Sequence, residues 1–245
     1  MNISQIWTSA TEAVELLAMY PFTWLCVIVI FLVVVEGLML IPFVGFLVKL
    51  MVASLVTAQI VAMFAAAAAG TAPTFSALLS AFSWPVSTQL VLFFSALAPF
   101  ALGLAYLYLK AGGSAVEFFF GNVLTTRPPE KSLFLQFKLL LSILALPFFF
   151  LPGAIVIKGL TGWAALAAAA TAAITNWVAV LALLLMTLGL ELATIQLPIL
   201  LPKAVGSALA VLLLVAFLVW SFAFTYTLSK RAFTQAHHAT VPTAA

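Results

Sequence analysis

The sequence predicts an all-α, polytopic transmembrane helical bundle of about six spans, with short interfacial helices between them. Three observations lead there. Apolar runs of span length recur from end to end, near 22–40, 44–69, 86–109, 134–157, 177–197 and 204–228. Only 6% of the 245 residues are charged and 66% are hydrophobic, whereas soluble domains carry about 25% charged residues. The breaks between the runs hold Pro, Gly or Trp. A run of roughly 20 apolar residues crosses ~30 Å of hydrocarbon. Backbone N–H and C=O groups in lipid must pair within the segment, so each run has to be helical. A membrane barrel needs alternating ~10-residue strands, which continuous runs exclude. The chain, 1–245, reads as a single integral membrane domain.

Residues 1–20 come first. Ile3, Ile6, Trp7, Ala10, Val14 and Leu17 recur at helical spacing, with Ser9, Glu12 and Glu15 elsewhere on the wheel. That pattern predicts an amphipathic interfacial helix, or a leader packed on the bundle. The first two runs then form a hairpin about Ile41-Pro42-Phe43-Val44-Gly45. Pro42 has no N–H and restricts Ile41, so the first span should stop there. Thr74 to Trp84 predicts a short interfacial helix closed by Trp84-Pro85. After the third span, Gly112-Gly113 breaks the helix, Phe118-Phe119-Phe120 follows, and Arg127-Pro128-Pro129-Glu130-Lys131 reads as a solvated linker. Pro147 and Pro152 should kink the fourth span. The Ala-rich stretch Thr161 to Thr175 reads as a short helix ending near Asn176-Trp177; alternatively Gly153 to Thr175 is a seventh span. Pro198 and Pro202 frame a tight turn, and 229–245 reads as a mobile tail. A weak repeat joins these elements. The order span, short helix ending in Trp, span occurs at 44–69, 74–84 and 86–109, and again at 134–157, 162–177 and 177–197.

The few charges inside the runs are candidate sites, because intramembrane ionisable residues are costly. Glu36 lies six residues before Pro42 and Lys49 seven after it. Both therefore sit about 9–10 Å from the turn and share a depth. Glu191 and Lys203 repeat the arrangement about Pro198. Two ion pairs are expected, Glu36–Lys49 and Glu191–Lys203. Each either fixes hairpin register or forms part of a relay. Gln59, Gln89 and Asn176 are candidate interhelical polar contacts, worth about 1 kcal/mol or less each.

Other chemistry finds little support. The only histidines, His237 and His238, are adjacent in the tail, so zinc-type spacing is missing. No Asp occurs, and no phosphate loop or dinucleotide fingerprint is present. A Gly112-Gly113-Ser114 nucleophile would need a base within hydrogen-bond reach, and no span contains a His. Cys26 alone supports no disulfide. The net charge of +3 is thinly spread, which excludes nucleic acid as a partner. Neither cofactor nor metal is expected. Lysines near the 1–2, 3–4 and 5–6 connections favour placing those in the cytoplasm, while Lys230 and Arg231 argue the opposite way, so orientation stays open.

Several stretches carry a resemblance. They are Tyr20-Pro21-Phe22…Leu25, Leu40-Ile41-Pro42-Phe43-Val44-Gly45, Phe75 to Phe82, Ala172…Asn176-Trp177, and Tyr226…Lys230-Arg231-Ala232-Phe233. Together they resemble a family of uncharacterised six-span bacterial inner-membrane proteins, distantly similar to the membrane domain of glycerophosphodiester phosphodiesterases. The short helices here lack the charges usual in that pattern, and the stretch 111–134 departs from it. The resemblance implies six spans and a bacterial inner membrane, and brings no catalytic residues.

The expectation is a non-enzymatic accessory, scaffold or assembly subunit of a membrane complex, with lipid and other membrane proteins or a second copy as partners. The alternative is a transporter or channel for a small apolar or lipid-like molecule. A third reading is an immunity-type protein against a membrane-acting toxin.

Overall fold

The computed structural model describes residues 1–41, 44–120 and 130–238. Pro42, Phe43, the linker residues Arg127, Pro128 and Pro129, and the end of the expected tail, 239–245, lie outside the described residues. The described chain is helical throughout: α1 (Ile3–Met19), α2 (Pro21–Leu38), α3 (Gly45–Ala68), α4 (Phe75–Leu79, continued by a 3-10 turn Ser80–Ser83), α5 (Val86–Ala111), α6 (Gly113–Phe120), α7 (Lys131–Ala145), α8 (Leu151–Lys158), α9 (Gly162–Thr175), α10 (Trp177–Leu200) and α11 (Lys203–His238). Six stretches are long and apolar enough to cross a membrane: α2, α3, α5, Ser132–Lys158, α10 and Lys203–Thr234. The protein is an all-α, multi-pass membrane protein.

The alternative of a seventh span fails on local geometry. Gly159 adopts φ +63° and ends α8. That left-handed conformation comes at little cost only to glycine. Gly153 to Thr175 is therefore two short helices. The kink expected in the fourth span is an interruption of its α-helical bonding. α7 ends at Ala145, a 3-10 turn spans Leu146–Phe148, and α8 begins only at Leu151. Pro147 and Pro152 cannot donate their share of backbone bonds. The repeat is consequently imperfect: α3, α4 and α5 form one unbroken set, whereas the second set opens with a broken span and a longer short helix.

The first helix and the last belong together. Asn2 and Gln5 cap α1 reciprocally, each side chain accepting from the other's backbone N–H at 2.9 Å. α1 then lies along the final turns of α11. Ser9 and Ala13 are fully buried there, the Thr227 hydroxyl donates to the Ser9 carbonyl at 2.9 Å, and Arg231 pairs with Glu12. The expectation of a mobile tail from 229 is corrected by this contact. Ser229 is fully buried, Phe233 is buried, and the helix continues to His238. Covering by α1 and α8 holds in place what composition alone reads as loose.

Side chains gather in two clusters. The larger is centred on Trp24, which stacks on Phe64 at 3.8 Å, and includes Leu55, Ile60, Phe150, Ala169 and Phe224. The smaller is aromatic and sits at the end of the bundle holding the α2–α3 turn. There Phe46 stacks on Phe100 at 4.1 Å, and Phe119 and Phe137 close over them. After Gly112 (φ +73°) α6 folds back, bringing Phe118, Phe119 and Phe120 onto this cluster.

The α8–α11 contact is tight enough to test. A Cβ at Gly153 would lie 2.2 Å from Ser229 Cβ and 2.3 Å from its Oγ. Gly153→Ala is expected to cost about 1–3 kcal/mol as an overpacked site. Adding Ser229→Gly should recover that loss, less the ~1 kcal/mol that glycine costs in a helix interior. Thermal melts in detergent measure both, and a single mutant as stable as wild type contradicts the packing described.

Candidate functional site

Two of the four intramembrane charges singled out by sequence meet as expected. Lys49 Nζ lies 2.8 and 2.9 Å from the two Glu36 carboxylate oxygens. α2 ends two residues after Glu36, and Lys49 is four residues into α3. The pair therefore sits within about 3–6 Å of both helix ends. The Glu36 side chain is 63% exposed and faces outward.

The second expected pair is corrected. Glu191 is held by Lys138, at 2.8 and 3.0 Å, and not by Lys203. The reason is the course of α10, which runs through Pro198 and ends only at Leu200. Glu191 is nine residues from that end, while Lys203 opens α11 and is exposed. They differ in depth by roughly 13 Å or more. Lys138, seven residues into α7, matches the depth of Glu191 instead. Its ammonium also lies 5.3 Å from the Phe134 ring centroid, a favourable cation–π distance. The Glu12–Arg231 pair was missed altogether, although both residues were visible as charges beside apolar stripes.

The three amide candidates separate. Gln89 does not join two spans. Its Nε2 donates to the carbonyls of Phe82 and Trp84, at 3.0 and 2.8 Å, and so caps the turn before its own helix. Gln59 is buried, and its Oε1 has no hydrogen-bond partner among the described residues; the expected contact through that oxygen is absent. Asn176, between α9 and α10, donates to Ala172 O at 2.9 Å, and its Oδ1 accepts from the Met1 ammonium at 2.9 Å. It thus ties α1 to the start of α10.

Sequence reasoning did not foresee a cavity. Between the two side-chain clusters lies a space of about 540 Å³, bounded by α3, α5, the break after α7, α10 and α11. Its walls are mostly Leu, Ala and Phe, with seven hydroxyls: Ser54, Thr57, Ser95, Ser142, Thr187, Ser221 and Thr225. Six of these hydroxyls donate to carbonyls of their own helices, Ser54 to Met51, Ser95 to Leu92, Ser142 to Lys138, Thr187 to Leu183, Ser221 to Leu218 and Thr225 to Ser221, at 2.7–3.0 Å. A hydroxyl has one proton to give. These six therefore offer the cavity only oxygen lone pairs. The signal in the sequence was the spacing, Ser54 with Thr57 and Ser221 with Thr225, which puts each pair on one helix face. The charged pair Lys138–Glu191 stands one turn from the cavity, since Lys138 is four residues before Ser142 and Glu191 four after Thr187.

Among known proteins, no family model, curated protein or solved structure matches this chain, and its functional reading rests on the ion pairs and the packing of its helices.

Proposed function

We propose that this is a non-enzymatic subunit of a bacterial inner membrane, acting as an accessory or assembly scaffold for other membrane components. The observation that carries the reading is the packing of the α10–α11 hairpin. Half of the α3 span is buried inside the protein, against 17% of the α10 span. Toward the α10–α11 turn the hairpin is exposed at Leu192, Ile199, Val205, Leu209 and Leu212. Its tie to α7 is the Lys138–Glu191 pair. Helices associate in lipid through close packing of small residues rather than through hydrophobicity. A Cβ at Gly189 would have no neighbour within 4 Å, and Ala204, Ser207 and Ala208 are exposed, so another helix could approach the backbone closely.

The ion pairs favour the same reading over ion-coupled transport. Glu36 and Glu191 are each held by a lysine on a neighbouring helix, which suits a role in fixing helix register. Tagged protein extracted in a mild detergent is expected to bring down a partner or a second copy, and Gly189→Leu to lose it while remaining monodisperse. Wild-type protein that runs as a clean monomer in nanodiscs rejects the proposal.

A further inference from the structure

The cavity is left over by the scaffold reading, which does not use it. Its volume, about 540 Å³, falls in the range of small-molecule sites. Apolar walls and engaged hydroxyl protons make it a poor host for a ligand that needs donors. A hydrocarbon chain needs none. The cavity is open to its surroundings along part of its wall: Leu92, Leu151, Pro152, Phe222 and Thr225 are buried, the other lining residues are partly exposed, and Ala145 is the most open of them. Ala145 is the last residue of α7, at the break in the fourth span. The most exposed part of its wall therefore lies midway along the Ser132–Lys158 span, at that break. It does not lie at either end of the bundle, where the aromatic cluster and the short helices sit. What lies beside a multi-pass protein at that height is lipid.

We propose that the cavity binds one acyl chain of a bilayer phospholipid, admitted laterally past Ala145 where the fourth span is broken. The ion pair Lys138–Glu191 joins α7 to α10 one turn from the chain and holds that wall together. Water is the competing occupant. It could donate to the hydroxyl oxygens, but it would sit against walls made mostly of Leu, Ala and Phe.

The test uses proteoliposomes of a phosphatidylcholine that carries a diazirine on one acyl chain, with adducts mapped by peptide mass spectrometry. Adducts are expected on inward residues such as Ala53, Ala96 and Ser221, as well as on outward residues such as Leu212. Ala96→Trp, which fills the space, should lower the inward adducts about tenfold, equivalent to ~1.4 kcal/mol of binding, and leave Leu212 unchanged. Ser54→Leu provides the same test should Ala96→Trp not fold. Ala145→Trp, at the exposed lining position, should lower the inward adducts while leaving Leu212 unchanged. Adducts confined to outward residues overturn the proposal. So does rapid labelling of an Ala53→Cys variant by a charged aqueous thiol reagent. Inward adducts that persist in Ala145→Trp overturn entry past Ala145.

Discussion

Replacing Gly45 or Gly206 with alanine is expected to cost about 3 kcal/mol or more, the largest loss of any single methyl added to this protein. Each glycine stands at the start of the second helix of a hairpin, where its missing side chain leaves room for the end of the first. A Cβ at Gly45 would lie 2.0 Å from the Leu38 carbonyl oxygen. A Cβ at Gly206 would lie 2.4 Å from the Leu197 carbonyl oxygen and 2.7 Å from Pro198 Cα. These obstacles are backbone, so no rotamer change relieves them. The two helices of the hairpin would have to part. The backbone bonds Gly45 N–H to Ile41 O at 3.1 Å and Gly206 N–H to Pro202 O at 2.9 Å would be strained with them. Gly37 and Gly189 are the controls, because a Cβ there meets nothing within 4 Å. Alanine at those two sites should be neutral or stabilising by up to ~1 kcal/mol. Thermal melts of the four variants in one detergent decide the matter. Gly45→Ala melting with Gly37→Ala would show that the hairpins are not closed this way.

The second large effect concerns Lys138 and Glu191. The pair sits about 10–14 Å along α7 and α10 from their nearer ends, deeper than Glu36–Lys49. Lys138→Met leaves a carboxylate among apolar helices, at a cost of about 3 kcal/mol. Glu191→Leu should cost less, because the lysine left behind has four methylenes with which to reach toward the headgroups. The double variant Lys138→Met/Glu191→Leu should return close to wild-type stability, since it removes both charges of this part-buried pair together. Lys203→Ala should change little. Unfolding of the four variants in mixed detergent checks the order. A double variant no better than Lys138→Met alone would mean that the two residues do not act as a pair.

Why sequence reached some of this and missed the rest follows from chain separation. The spans were legible because hydrocarbon demands about 20 apolar residues whatever surrounds them. Glu36 and Lys49 were legible because one short turn fixes their relative depth. The same reasoning misplaced the partner of Glu191, because it measured from Pro198 while α10 runs on to Leu200. A proline is tolerated inside a membrane helix when its surroundings satisfy the freed carbonyl. Lys138 is 53 residues from Glu191, beyond any local rule. The helix over 229–238 was unreadable for a related reason. Polar residues there signal an end, yet Ser229 is buried and Arg231 pairs with Glu12 of α1. The cavity depends on where five elements leave space, and only the serine and threonine spacing hinted at it.

The clasp between α1 and the end of α11 has a consequence for biogenesis. Glu12 and Arg231 are 219 residues apart, so α1 waits for the end of α11 to be translated. At 5–20 residues per second that delay is on the order of 10–40 s. Throughout it Ser9 and Ala13 of α1 lack the cover that α11 later provides.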